Sequence, residues 1–250
     1  MSVAGSIALY CSLILLGALG GAAIPLRTRR PDMRVTFLAF AAGVMFGAAF
    51  FHMLPEALRE GGLRSLSFVP AGFVFVFLLE RYVFVHACEE PPDCEEHAHH
   101  RALGATAFWG LSTHTLFDGI ALASATQEGV GFMTFIAIAA HKVPSSLSLA
   151  SILKTEGRSA RSVMAYATAF GLMVPLGVAL YFLAGTALPL EHVAPKALAF
   201  SAGTFLYIAV SDLLPHINRH GHRGGPRHIL ALCSGLGVMY GLSFLGPHGA

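Results

Sequence analysis

Residues 108–125, FWGLSTHTLFDGIALASA, and residues 135–153, FIAIAAHKVPSSLSLASIL, are the two stretches from which the architecture follows. Each lies inside a longer apolar run, Ala102–Thr126 for the first and Gly129–Leu153 for the second. A run of about 20 apolar residues is what a helix needs to cross the bilayer core. Because only two residues separate the runs, they predict two membrane helices joined as an antiparallel hairpin.

Six further apolar runs flank this hairpin, three on each side, and bring the predicted spans to eight. They are Val3–Leu26, Val35–Leu54, Ser67–Val85, Val163–Thr186, Lys196–Leu214 and Ile229–Leu245. The connections between them are short. We therefore expect an all-α fold, a polytopic bundle of eight transmembrane helices that forms a single transmembrane domain over residues 1–250.

The composition agrees with a membrane protein and argues against a soluble one. Hydrophobic residues make up 55% of the chain, charged residues only 12%, and the mean hydropathy is +0.65. Soluble domains carry about 25% charged residues. The net charge of +2 gives no reason to expect a nucleic-acid partner, so the expected surroundings are a lipid bilayer.

Lysine and arginine are distributed unevenly between the two sets of loops, which predicts the orientation. Eleven lie in the loops that follow odd-numbered spans, and three lie in the opposite set. Cytoplasmic loops carry the excess of positive charge. We therefore expect a multi-pass protein of the plasma or inner membrane with both termini outside, which makes the 86–101 loop cytoplasmic.

Ionisable residues lie at the centres of the two hairpin spans. His114 is central in its run, Asp118 follows at i+4 on the same helix face, and His141 is central in the next run. A charge at such a depth costs about 2.5–3.5 kcal/mol on insertion scales, so it indicates function. Pro144 opens the helix near His141 and frees a backbone carbonyl, and Ser145 offers a further oxygen.

Imidazole with carboxylate is the ligand chemistry of zinc and its first-row neighbours. Two histidines at matched depth with an acid therefore favour a metal site near the bilayer midplane. The alternative is that His114 and Asp118 only hydrogen-bond inside a core.

Two more i,i+4 pairs lie at span ends, His52 with Glu56 and Asp212 with His216. They outline an outer and an inner mouth of a metal path, and interfacial anchoring is the alternative for either pair.

The loop after span 3 reads HACEEPPDCEEHAHHR over residues 86–101 and is rich in metal-binding side chains. These side chains are His86, Cys88, Cys94, His97, His99 and His100. Their spacing is not that of a structural zinc module, so we expect weak capture by a flexible segment. A merely solvated acidic loop is the alternative.

Small residues recur at GxxxG spacing, where membrane helices can approach each other closely. The pairs are Gly43 with Gly47 and Gly237 with Gly241. The pattern predicts close helix packing at both places.

The chain resembles the ZIP family of divalent metal transporters over essentially its whole length. The resemblance rests on H-x-x-x-D-G in span 4, H-x-x-P in span 5, AGVMFGAAFFHMLPEA at 42–57 and AGTFLYIAVSDLLPH at 202–216. It implies that helices 1–3 and 6–8 are inverted repeats around the helix 4–5 hairpin. It also implies a homodimer, and metal bound between spans 2, 4 and 5.

Carried over position by position, the resemblance implies a principal metal site of His114, Asp118, His141, Ser145 and Met45. The ion would be Zn²⁺, with Cd²⁺, Fe²⁺ or Mn²⁺ as alternatives, and no resident cofactor is implied. The protein would not be an enzyme.

Members of the family with two metal ions have further ligands where this chain has Thr115, Lys142, Ser145 and Val174. A lysine ammonium cannot bind a metal ion while charged, and it repels one beside it. We therefore expect the second metal site to be absent. The ammonium of Lys142 would replace the positive charge of the second ion, and the carboxylate of Asp118 would be the partner of Lys142.

The expected function is transport of a divalent metal cation toward the cytoplasm through the midplane site. Two alternatives remain open from the residues. One is an intramembrane zinc-dependent hydrolase that uses the same side chains to activate water. The other is a transport-impaired metal sensor, which Lys142 would favour.

Overall fold

The computed structural model describes residues 2–28, 31–84, 94–184, 190–220 and 225–244, and every regular element in these ranges is a helix. Eight helices, the second of which is kinked at Gly62, follow the order of the predicted spans. The bounds are α1 Val3–Arg27; α2 Pro31–Ala48, continued by a π-helical Ala49–Met53 and by Leu54–Ser65; α3 Phe68–Leu79, continued by a π-helical Glu80–Phe84; α4 Cys94–Gln127; α5 Gly131–Thr155; α6 Ala160–Ala184; α7 Leu190–Tyr207, continued by a π-helical Ile208–Leu213 and by Leu214–His220; and α8 Pro226–Ser243.

Five of these helices are long and apolar enough to cross a membrane within the described residues. They are α1, residues 35–65 of α2, α5, α6 and residues 193–211 of α7. The other three predicted spans are also helical, as α3, α4 and α8. The architecture is that of a helical multi-pass membrane protein.

Helix α2 is longer than the predicted span, which ended at Leu54. The helix passes through Pro55 because a π-helical turn precedes it, in which the Leu54 N–H donates to the carbonyl of Ala49. A proline is tolerated at the start of a helical segment, where its missing N–H is not needed. The helix therefore continues past Pro55 to a kink at Gly62, whose φ of 65° and ψ of −172° are not helical, and the segment ends at Ser65.

Helix α7 repeats this arrangement. The N–H of Leu214 donates to the carbonyl of Ala209 at the end of its π-helical turn, and Pro215 follows. Such π-helical turns inside α-helices are frequent at functional sites.

The segment between α3 and α4 differs from the predicted flexible loop. Helix α4 begins at Cys94, so residues 94–101 are helical rather than loop. His86 and Cys88 lie outside the described residues. The structure describes only the backbone, within α4, of Cys94, His97, His99 and His100.

Glycines set the closest helix contacts. A Cβ at Gly43 of α2 would collide with the carbonyl of Leu232 in α8, and one at Gly203 of α7 would collide with that of Val69 in α3. The prediction of close packing therefore holds at Gly43. It is wrong for Gly237 and Gly241, because a Cβ at either would meet nothing within 4 Å.

The remaining helices are held together in the same way. Gly21 of α1 lies against the carbonyl of Val143 in α5, and Gly177 of α6 lies against that of Leu116 in α4. Gly61 of α2 also lies against Pro195 of α7, and Gly171 of α6 lies against Leu15 of α1. These contacts join the helix pairs into two groups, α2 with α8 and α3 with α7 in one, and α1 with α5 and α4 with α6 in the other.

We predict that Gly43→Ala destabilises the protein by about 1–3 kcal/mol, the usual effect of overpacking, because the new methyl group meets the Leu232 carbonyl. Gly237→Ala is the matched control, since its methyl group has open space and alanine favours a helix. Thermal unfolding in detergent measures both. Equal midpoints for the two variants would contradict the packing described here.

Candidate metal centre

The α4–α5 hairpin brings His114 and His141 together at the centre of the bundle. Both side chains are buried, and their ring centroids lie 5.6 Å apart. A short turn joins the two helices, and Gly129 supplies its positive φ of 87°. The prediction that the two histidines lie at one depth is consistent with this distance.

Asp118 joins the two histidines. One carboxylate oxygen, Oδ1, lies 3.6 Å from Nε2 of His114, and the other, Oδ2, lies 3.3 Å from Nε2 of His141. The i+4 spacing places Asp118 one turn after His114 on the same face of α4. A single buried carboxylate thus faces both imidazoles.

His52 is the fourth member of the cluster. Its ring centroid lies 5.1 Å from that of His141 and 5.9 Å from that of His114. The sequence placed His52 at an outer mouth because span 2 was predicted to end two residues later. With α2 extending to Ser65, His52 falls in the middle of the helix, inside its π-helical turn. A proline can begin a helical segment, so Pro55 was the signal in the sequence that α2 could extend beyond Leu54.

The four side chains fit a first-row metal ion. Each offers one donor atom, and all four atoms lie within 4.8 Å of one another. In a tetrahedral zinc site with bonds of about 2.1 Å, the donors are about 3.4 Å apart. Small side-chain rotations would close that difference. The Nδ1 atom of His114 is buried and has no partner among the described residues, so either ring nitrogen is available.

The roles of Ser145 and Met45 as ligands stay predictions. Ser145 is buried, and its hydroxyl donates to the carbonyl of His141 at 2.7 Å, so its oxygen has only acceptor capacity left. Met45 is fully buried in the hydrophobic core, on the same helix as His52.

Lys142 has a different partner from the one expected. Its ammonium donates to the hydroxyl of Thr115 at 2.8 Å and lies 3.7 Å from the centre of the Phe170 ring. The described ion pairs of Asp118 join it to the two histidines and do not include Lys142. Val174 is fully buried nearby in α6. A cation thus occupies the side of the cluster where Thr115 lies.

The predicted mouth residues are only partly described. Glu56 is partly exposed and forms an ion pair with Arg59 on the next turn. The side chains of Asp212 and His216 lie outside the described part of the structure, although the backbone of α7 is described at both.

We predict that His114→Ala, His141→Ala and His52→Ala each weaken zinc binding at least about tenfold, because each removes a donor of the cluster. Glu56→Gln is the control, since Glu56 lies on the same helix as His52 but pairs with Arg59. Calorimetric titration of detergent-solubilised protein measures the affinities of the wild type and of the four variants. A His52→Ala affinity equal to that of the wild type would remove His52 from the site.

Comparisons with known proteins show which family this chain resembles. The profile of the family described as "ZIP Zinc transporter" matches residues 86–243. The chain is 34% identical to zinc transporter ZIP9 of Micropogonias undulatus over 161 residues, which cover 60% of this chain and 51% of that protein. It is 30% identical to zinc transporter ZIP1 of Takifugu rubripes over 260 residues, which cover 83% of each.

The alignments differ in extent. The chain spans about half the length of the ZIP9 relatives it matches, including that of Xenopus tropicalis, which is 32% identical over 165 residues. The ZIP1 alignment covers most of both proteins. The resemblance seen in the sequence motifs is confirmed, and the chain belongs to the ZIP zinc transporter family.

Proposed function

We propose that this protein carries a divalent metal ion, zinc, across the membrane through the cluster of His52, His114, Asp118 and His141. The observation that carries the proposal is that four metal-binding donors meet in the middle of a bundle of apolar helices. Membership of a family of transporters rather than enzymes supports the same function.

The charge of the cluster suits an ion that must leave again. Three neutral imidazoles and one carboxylate offset only half of the charge of a divalent ion. The ammonium of Lys142, held by Thr115, adds a further positive charge nearby. Incomplete compensation in a low-dielectric site weakens binding, which favours transit over permanent capture.

We infer that helices α1–α3 and α6–α8 are inverted repeats. Support comes from the register of the outer glycine contacts. Gly43 packs on α8, and Gly203, 160 residues later, packs on α3. The pairing of α2 with α8 is therefore matched by the pairing of α7 with α3.

The central helices follow the same rule. Gly21 packs on the carbonyl of Val143, and Gly177, 156 residues later, packs on that of Leu116. Leu116 and Val143 each lie two residues after a histidine of the cluster. In the correspondence between the two halves, α4 is therefore equivalent to α5, and His114 is equivalent to His141.

We propose that alternating access uses the two helix groups. His52 belongs to the group of α2, α3, α7 and α8, whereas His114, Asp118 and His141 belong to the group of α1, α4, α5 and α6. Sliding one group against the other would change the donors around the ion without unfolding either group. We propose eight crossings with both termini outside and net movement toward the cytoplasm, which the loop charges support.

We also propose that the 86–101 segment captures metal weakly before or after transport, and that two copies of the chain form a homodimer. Both rest on the sequence and on the family.

The test is zinc uptake by proteoliposomes that contain the purified protein. We predict uptake above that of empty vesicles, lost in His114→Ala because the cluster loses a donor. Hydrolysis of lipid in the same preparation is measured alongside. Zinc binding without uptake would indicate a sensor, and hydrolysis without uptake would indicate an enzyme. Either result would contradict transport.

Lys142 should limit the number of metal ions that the cluster can hold. Because the Lys142 ammonium fills the space beside Thr115, we expect one metal ion per chain at the cluster. Lys142→Asp should raise this to two, since a carboxylate ligand replaces a repelling charge. Lys142→Ala is the control, because it removes the charge without adding a ligand. Calorimetric stoichiometry measures all three, and two ions in the wild type would show that Lys142 does not exclude the second.

A further inference from the structure

His52 and Asp212 occupy equivalent positions in α2 and α7. Each is the second-last residue of a π-helical turn, and each stands three residues before a proline. Each also lies nine residues after a glycine that packs on a neighbouring helix, Gly43 for His52 and Gly203 for Asp212. The register that relates the two halves of the chain therefore relates these two ionisable residues.

The histidine pair lies where the two halves meet. His114 and His141 are 27 residues apart, as are Leu116 and Val143, whose carbonyls contact equivalent glycines of α6 and α1. The neighbouring pair of the same register, Thr115 with Lys142, is in direct contact at 2.8 Å. His114 and His141 are thus equivalent positions in the two halves of the chain.

A second pair of contacts follows the same register on the next turn of both helices. Ser146 of α5 donates its hydroxyl to the carbonyl of Ala18 in α1. Gly119, 27 residues before Ser146, packs on the carbonyl of Val174, which lies 156 residues after Ala18. Equivalent residues therefore make equivalent contacts with α1 and α6.

The donors around the pair are unequal on its two sides. One side has His52 from α2 and Asp118 from α4, which are within reach of the pair. The equivalent positions on the other side are Asp212 of α7 and Ser145 of α5. A motion in which α6–α8 take the arrangement that α1–α3 have now would bring Asp212 toward His114 and His141. The same motion would withdraw His52 from them.

We propose that Asp212 replaces His52 as the fourth donor to the metal ion when the protein changes the side to which it opens. The inference rests on the proposed transport function. His114, Asp118 and His141 move with the ion, and the donor from the other helix group changes from an imidazole to a carboxylate. Asp118 and Asp212 together would then offset more of the charge of the ion than Asp118 does alone, while the ion is enclosed at low dielectric.

The experiment compares Asp212→Asn with His52→Ala in two measurements, zinc uptake by proteoliposomes and equilibrium zinc binding in detergent. For Asp212→Asn we expect uptake to fall at least about tenfold while the dissociation constant changes less than about threefold. For His52→Ala both should worsen. Ser211→Ala is the matched control on the same π-helical turn and should leave both unchanged.

Two outcomes overturn the proposal. Wild-type uptake by Asp212→Asn would show that the carboxylate is not needed. Loss of equilibrium binding as large as that of His114→Ala would show that Asp212 is a permanent ligand. Asp212→Glu, which keeps the carboxylate, should recover most of the uptake and separates ligation from folding. Absence of uptake by the wild type would refute the transport function, and this inference with it.

Discussion

The buried carboxylate of Asp118 is the interaction on which the centre of this protein depends. An unpaired charge in a bilayer is strongly unfavourable, so a carboxylate there must be matched by donors or by a cation. Asp118 has one imidazole against each of its oxygens, 3.6 Å and 3.3 Å away. That geometry requires α4 and α5 to stand side by side at a fixed register, with His52 close enough to complete the cluster.

The packing of the bundle supplies that register. Glycines let backbones approach where a methyl group would collide, as at Gly177 against the carbonyl of Leu116, two residues from His114. The π-helical turn of α2 then brings His52 into the cluster while letting the helix continue past Pro55. Close contacts made by small residues thus hold the helices near the site.

The sequence predicted the hairpin part of the site because its positions are fixed locally. The i+4 spacing of His114 and Asp118 and the short connection to α5 left little freedom for the three residues. His52 was assigned to the mouth because an apolar run does not show where a helix ends when polar residues follow. The partner of Lys142 was also beyond the sequence, since Thr115 and Asp118 both lay within reach of its long side chain. Gly237 shows the same limit, because GxxxG spacing does not say which face meets another helix.

The most direct test of a metal centre at this cluster is anomalous diffraction from crystals soaked with zinc. The account predicts one strong peak per chain within bonding distance of His52, His114, Asp118 and His141, the residues whose donor atoms already lie within 4.8 Å of one another. Peaks found only elsewhere, with none between α4 and α5, would contradict it.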